Sequence, residues 1–324
     1  MSDILLSIVI PAYNSERFLH NLLSVLVEQV TECAKNSIEV IIVNDGSADA
    51  TADIAQSFSE RYSFISLINQ DNKGECGARN TGIKNAQGRY LYFLDSDDVL
   101  PEGTLLFFQN FLSQSNESDV FAFGYEVHRN GMVSKTVFSE SLNNRSFPSE
   151  VIKKLFLSKK LPICICSMIY RNAFISENAL LFPVGVKIGG DMVFMVNTFA
   201  KACTLQYSKR ISFIYQIRDD SVMQGYKGYN TDRIKSFEFI RDAVLKNYAD
   251  YISIEKESNF FIANSYLSNL VAYLKSDLKD KEINNIFLDN KFFLYRRLRG
   301  RFLNYIAICI ARCIPLRILF KLFK

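Results

Sequence analysis

The sequence predicts an α/β fold: a mostly parallel central sheet flanked by helices, followed by a helical extension. Three observations carry this reading. Apolar runs alternate with stretches whose apolar residues recur at helical spacing. Those runs are continuous rather than alternating, the pattern of strands buried on both faces in parallel sheets covered by helices. From about Thr231 the helical spacing continues and the strand-like runs stop.

Residues 4 to 10, ILLSIVI, read as the first strand, and PAYN at 11 to 14 as its end, because proline cannot donate to a sheet ladder. A helix follows from Ser15, with Phe18, Leu19, Leu22, Leu23 and Leu26 on one stripe. IEVIIVNDGS, 38 to 47, is a second strand closing in polar residues, and a helix with Thr51, Ile54 and Ala55 comes next. FISLIN, 64 to 69, is a third strand. The loop NKGECGARN leads into a short helix through Ile83. LYFLDSDDVLP, 91 to 101, is a fourth strand that stops in Asp95, Ser96, Asp97 and Asp98.

After Pro101, residues 119 to 138 alternate and contain Asn130-Gly131, a hairpin signal. A helix is predicted over 149 to 158. ICICSMIY, 163 to 170, reads as a strand that would set Cys164 and Cys166 on opposite faces. Residues 182 to 200 form a glycine-containing loop that runs into an apolar helix, with Asp191 at its start. A further strand covers 211 to 218, and Gly225 to Tyr229 form a loop suited to movement.

In open α/β sheets, ligands bind beyond the carboxyl ends of the strands. Asn14, Asp45 and Asp95 all fall there, so one shared site is expected. Three carboxylates at the end of a buried strand are costly unless something cationic meets them. Hard divalent cations take oxygen ligands, and Mg²⁺ uses one or two carboxylates together with phosphate oxygens. The stretch is therefore either a metal-bound phosphate site or an acidic loop capping the next helix.

At 324 residues the chain is long for one domain, so two lobes or one domain with an appendage are expected. With 48% apolar and 22% charged residues it is globular rather than disordered. A formal charge of +4 does not mark a nucleic-acid binder. Seven scattered cysteines and no signal-peptide pattern point to reduced thiols in a cytosolic setting. Cys309 and Cys313 share a helical face, but no second pair of Cys or His accompanies them to complete a zinc site. Two histidines, His20 and His128, exclude chemistry that needs an imidazole cluster.

Residues 291 to 324 include Arg296, Arg297, Arg299, Arg301, Arg312, Arg317, Lys321 and Lys324 and no acidic residue. The apolar run 302 to 311 is too short for a bilayer, which needs roughly 20 residues. After Pro315, Leu316, Leu319, Phe320 and Phe323 form one helical face and Arg317, Lys321 and Lys324 another. A basic amphipathic helix suits a membrane surface; a packed terminal helix or a partner-binding helix is the alternative.

SIVIPAYN (7 to 14), VIIVNDGSADAT (40 to 51), KGECGARNTGI (73 to 83), YLYFLDSDD (90 to 98) and GGDMVF (189 to 194), in this order, resemble a family 2 glycosyltransferase with the GT-A fold. The resemblance covers about residues 5 to 220. It implies a GT-A domain over 1 to 225, with a nucleotide-binding half (1 to 100) and an acceptor-binding half (101 to 225). A helical region, 226 to 324, with its basic tail would follow. It implies that Pro11, Ala12 and Tyr13 contact the base and ribose, and that Asp45 accepts from uracil. A turn-forming role for Asp45 is the other reading. Gly74 and Arg79 would lie near the donor, Arg79 meeting either the diphosphate or an aspartate of the cluster. Asp95 and Asp97 match the DxD motif, with Ser96 between them: Asp95 toward ribose or metal, Asp97 on Mg²⁺ or Mn²⁺. Asp98 would cap a helix or sit in an outer shell.

By the same resemblance Asp191 is the general base of an inverting transfer, although Gly190 replaces the acid that precedes it in relatives. An N-cap role for Asp191 is the alternative. Arg218 matches a position near the diphosphate, and Ser221 to Tyr229 would close over the donor. The resemblance thus implies an inverting, metal-dependent transfer from a nucleotide sugar, with Asp45 and family frequency favouring a uridine over a guanosine donor. Together with the tail it implies a lipid-linked saccharide acceptor at the inner face of the cell membrane. Two rivals remain: a nucleotidyltransferase, which would carry a Gly-rich basic loop that PAYNSERF lacks, and a non-catalytic protein of the same fold. The lack of G-x-G-x-x-G after the first strand argues against a dehydrogenase.

Overall fold

The computed structural model describes residues 4–114, 118–129, 131–137, 142–217, 229–313, 315–316 and 320. The chain divides into two compact units. The first comprises Met1–Pro148, Pro162–Gly185 and Ala202–Arg218; the second comprises Ser149–Leu161, Val186–Lys201 and Asp219–Lys324.

The first unit is built on one mixed sheet. Its strands are β1 (Leu6–Ala12), β2 (Ile38–Asp45), β3 (Ile65–Gln70), β4 (Tyr90–Phe93), β5 (Val120–Arg129), β6 (Met132–Thr136), β7 (Ser146–Pro148), β8 (Met168–Arg171) and β9 (Thr204–Ile217). The order is β3-β2-β1-β4-β8-β5-β9-β7, with β6 on β5. The first four are mutually parallel. β8 enters antiparallel between β4 and β5, and β5 runs parallel to β9. The helices of this unit are α1 (Glu16–Thr31), α2 (Thr51–Arg61), α3 (Gly74–Asn85), α4 (Thr104–Gln114) and α6 (Asn172–Glu177); α5 (Ser149–Leu157) belongs to the second unit. The α1 stripe is buried as its spacing predicts, at Leu19, Leu22, Leu23 and Leu26. On α4, Phe108 packs against Tyr92 and Phe123 with ring centroids 5.2 and 4.9 Å apart. α3 lies so close to β1 that a Cβ on Gly82 would come within 2.1 Å of Val9 Cγ1. Glycine is what permits that approach.

Proline 11 does not end β1. The strand continues through Pro11 and Ala12, paired with Val43 and Asn44 of β2. What ends there is the pairing with β4. Leu94 donates its N–H to Val9 O, and the next rung of a parallel ladder would be an N–H of residue 11 donating to Leu94 O. Proline has no such N–H, so the chain leaves the sheet and turns into Asp95–Asp98.

Two other expectations change. Residues 165–167 form a 3-10 turn rather than strand, and β8 begins only at Met168. The Ser167 hydroxyl donates to Cys164 O and accepts from Cys164 N–H, at 2.9 Å each. This local hydrogen bonding competes with the ladder, and the opposite-face placement of Cys164 and Cys166 does not hold. β9 starts seven residues before the predicted position, at Thr204. The hairpin is present: β5 pairs antiparallel with β6, with Gly131 at φ 77°. Asn130 lies outside the described residues, as do Leu319, Phe323, Arg317, Lys321 and Lys324 of the tail.

The second unit is helical. It contains α5, α7 (Gly190–Lys201), α8 (Thr231–Tyr248), α9 (Glu255–Leu274), α10 (Lys281–Asn290) and α11 (Phe302–Arg312). Ile234, Phe237, Val244 and Tyr248 form the buried stripe of α8, and Tyr248 donates to Val196 O on α7 at 3.0 Å. Phe156 of α5 meets Phe199 of α7 and Phe261 of α9. Side chains of Asn230 and Asp280 cap α8 and α10. Leu316 is buried, and Phe320 lies against Tyr273 and Phe287. Among the described residues no helix is long and apolar enough to cross a membrane.

Candidate active site

The carboxyl ends of β1, β2 and β4 are laced to one another. Asn14 takes a positive φ of 48° and accepts from Ala48 N–H at 2.9 Å, while its own N–H donates to Ser47 Oγ at 3.0 Å. Ser15 N–H donates to Thr51 Oγ1 at 2.7 Å, and the Ser15 hydroxyl meets the Ser96 hydroxyl at 2.8 Å. The loop after β1 is thereby tied to both the loop after β2 and the acidic turn after β4. Tyr13 is exposed beside this lacing, and Ala12 is buried.

Asp49 fastens the same corner. Its carboxylate accepts from the Thr51 hydroxyl and N–H and from Glu16 N–H. Burial works against its charged form, but these bonds outweigh burial and hold the carboxyl below its ordinary value. A depressed folded pKa contributes stability above the ordinary carboxylate range, and that stability is lost as pH falls through the folded value. In Asp49→Asn, melting temperature should fall relative to wild type at neutral pH, and the two curves should converge on acidification. Parallel curves would show that the carboxylate charge is not what fastens this corner.

Asp45 ends β2 and is 2% exposed. Its Oδ1 accepts from Gln70 Nε2 at 2.6 Å and from Lys73 N–H at 2.9 Å. Lys73 immediately precedes Gly74, which opens α3 at φ 75°. The Asp45 carboxylate thus positions the start of α3, whereas within Asn-Asp-Gly-Ser the side-chain acceptor is Asn44 Oδ1, which takes Ser47 N–H at 3.2 Å.

Arg79, on α3, is 1% exposed. Its Nη2 donates to Asp95 Oδ1 at 2.6 Å, it pairs with Glu75, and its guanidinium lies 5.3 Å from the centre of the Phe182 ring. Asn80 exchanges two hydrogen bonds with the Phe182 backbone, 2.8 Å each. Of the two roles open to Arg79, the structure contains the pairing with the aspartate cluster.

Asp98 N–H donates to Asp95 O at 3.1 Å, closing the acidic turn, and Val99 then bridges antiparallel to Ile214 of β9. Asp95, Ser96 and Asp97 are partly exposed, whereas Asp98 is buried. Ligand atoms of Asp95, Asp98 and Cys166 lie within 4.8 Å of one another. The sequence reading placed Asp98 outside the centre and missed Cys166. Tyr215, also missed, has its phenol pushed up to about 12 by burial and by Asp98, Asp97 and Asp95. Burial, then Asp95 and Asp98, push the Cys166 thiol far up. A soft thiol suits neither Mg²⁺ nor Mn²⁺, so the hard donors available here are carboxylates. Two or three carboxylate oxygens at a strand end, open on one side, fit a hard divalent ion that also takes phosphate oxygens.

Asp191 lies in the first turn of α7, in the second unit, and accepts from Met192 N–H at 2.7 Å. Gly189 precedes this helix at φ 81°, where a Cβ would come within 2.5 Å of Ser236 Oγ of α8. Arg218 and Ser221 lie outside the described residues.

The sequence model of glycosyl transferase family 2 matches residues 7–178, more than half of the chain. The chain belongs to glycosyl transferase family 2. A relative, the poly(ribitol-phosphate) beta-glucosyltransferase of Bacillus spizizenii, is 33% identical over 218 residues, 66% of this chain and 32% of that protein. The chain thus spans about a third of that relative's length. Among solved structures, residues 1–349 of Staphylococcus aureus TarS in complex with UDP-GlcNAc superpose with a TM-score of 0.70 at 23% identity, over 90% of this chain and 81% of that one. The mannosyltransferase PcManGT of Pyrobaculum calidifontis, in complex with GDP-Man and Mn²⁺, superposes at 0.53 and 14% identity, over 98% and 83%. These likenesses bear out the expected GT-A type of α/β fold, with its mostly parallel sheet and helical C-terminal region.

Proposed function

We propose that this family 2 protein is an inverting glycosyltransferase that moves a sugar from a nucleotide diphosphate donor to an acceptor hydroxyl. The observation that carries the reading is the turn Asp95–Asp98, held open at the end of β4 by Pro11 on one side and by Arg79 on the other. Asp95 and Asp97 would hold Mg²⁺ or Mn²⁺. That ion, when bound, neutralises the charge that grows on the departing nucleoside diphosphate. Pro11, Ala12, Tyr13 and Asp45 would receive base and ribose, Gly74 and Ser96 would line the donor, and Arg79 would fix Asp95 in its orientation. Arg218 is assigned to the diphosphate by resemblance alone.

Asp191 would take the proton of the acceptor hydroxyl as its oxygen bonds to the anomeric carbon and the bond from that carbon to the diphosphate breaks. A carboxylate carries about four acceptor sites, and Asp191 takes Met192 N–H at 2.7 Å. Asp191→Asn is therefore expected to keep donor binding and to lose transfer by on the order of 10²–10⁴-fold; unchanged transfer would reduce Asp191 to a helix cap.

UDP-GlcNAc in TarS and the buried acceptor carboxylate Asp45 support a uridine donor, and GDP-Man in PcManGT is the competing case. The poly(ribitol-phosphate) in the name of the Bacillus relative, the polymer that it glucosylates, supports a surface-polymer acceptor. We extend this to a lipid-linked saccharide presented at the inner face of the membrane, with the protein peripheral on the cytoplasmic side. The test is thermal shift with a panel of nucleotide sugars and Mn²⁺. The donor should raise the melting temperature by mass action, about 2.7 kcal/mol at a hundredfold excess over Kd. No shift with any sugar nucleotide would overturn the reading.

A further inference from the structure

The helix α11 is turned inside out. A surface helix normally buries its apolar stripe and exposes its polar one. Here Asn304 and Arg312 are on the face toward the other helices of the second unit, with the buried Ile308 between them. Asn304 donates to Asn264 Oδ1 on α9, and Arg312 donates to the carbonyls of Leu294 and Arg296. The outward face carries Phe302 at 72% exposure, Leu303 at 70%, Ile310 at 60%, and the exposed Ile306, Ala307 and Cys313. A run of this kind facing water opposes the hydrophobic effect unless something apolar covers it.

The surroundings say what covers it. Arg296, Arg297 and Arg301 are exposed just before α11, next to the exposed rings of Phe292 and Tyr295. A pocket lined by Lys256, Arg296, Arg297, Arg312, Tyr295 and Tyr305 lies in the same unit. Between Lys291 and Lys324 there is no acidic residue. A second copy of this chain would bring the same cations to the contact and be repelled. An anionic bilayer supplies both an apolar boundary and negative charge. Eleven residues of helix reach about 16 Å, enough to lie in the headgroup plane and too short to cross it.

We infer that α11 docks this protein on an anionic lipid surface, its outward apolar face sunk at the headgroup boundary and its cationic pocket on a lipid phosphate. The docking segment is thus α11 itself; further on, Leu316 is buried and Phe320 packs against Tyr273. This gives a segment and a lipid chemistry to the peripheral placement proposed above and rests on that part of the reading alone; it does not depend on the transfer reaction, since it is read without donor.

The full chain is sedimented with vesicles of phosphatidylglycerol and phosphatidylcholine in equal parts, and with phosphatidylcholine alone. Binding to the anionic vesicles only is expected. It should weaken at least tenfold with Phe302→Ser, Leu303→Ser and Ile310→Ser combined, and fall with added salt in wild type but less in Arg296→Gln with Arg297→Gln. The serine variant should melt with wild type, since the replaced side chains face outward. Unchanged binding in the serine variant overturns the inference. So does release by inorganic phosphate alone, which would mark a free-phosphate pocket. A wild-type dimer that the serine variant dissociates, without vesicle binding, would make the face an interface between copies.

Discussion

Arg79→Ala should lower the stability of the protein by about 3 kcal/mol, the lower end of the cost of breaking a buried pair. The lower end applies because the Asp95 side chain is 29% exposed and water compensates part of the loss. In a unit of this size that is a fall of roughly 6–12 °C in melting temperature, readable by calorimetry. The cause is specific. Arg79 is the buried cation between Glu75 and Asp95, and its guanidinium also covers the Phe182 ring. Arg79→Lys should recover little, because an ammonium cannot stack and bridge as a planar fork does. The same variants should weaken Mn²⁺-dependent donor binding, because Asp95 would lose the partner that orients it. A melting temperature within about 2 °C of wild type would show that Arg79 holds neither the turn nor the fold.

The second large effect is on turnover. Asp97→Ala should reduce donor hydrolysis with Mn²⁺ by on the order of 10²–10³-fold, the scale of losing one electrostatic stabiliser of the developing charge. Asp97 is partly exposed, so the melting temperature should stay near that of wild type. Asp98 is the control. It is buried and shares the 4.8 Å cluster with Asp95 and Cys166. Asp98→Ala should act on stability as well as turnover. If Asp97→Ala hydrolyses donor at the wild-type rate while Asp98→Ala does not, the metal-binding pair is Asp95 and Asp98, and the motif-based assignment is wrong.

The strands of the parallel half were legible because each is an unbroken apolar run, such as Val40 to Val43, that only a sheet covered on both faces can bury. The clustering of Asn14, Asp45 and Asp95 followed from strand direction alone. What sequence could not reveal depends on pairings distant along the chain. Cys166 reaches Asp95 only because β8 pairs with β4, Tyr90 opposite Arg171. Tyr215 comes to the acidic turn through the Val99–Ile214 bridge. The inversion of α11 was hidden for another reason. The run from Phe302 to Ile310 looks the same whether its apolar side faces in or out, and the decision rests with two polar residues, Asn304 and Arg312, whose partners lie on α9 and in the preceding turn.

Pro11 has a consequence for how robust the reactive corner is to change. A ladder is a zipper, and it closes until a tooth is missing. At Pro11 the missing tooth is built into the chemistry of the residue, so no thermal fluctuation can extend β4 and draw Asp95 into the sheet by that bond. Any other residue at position 11 would restore the N–H and allow one more rung. The mouth beside β1 is therefore kept from closing by an omission, at no expense in strained backbone.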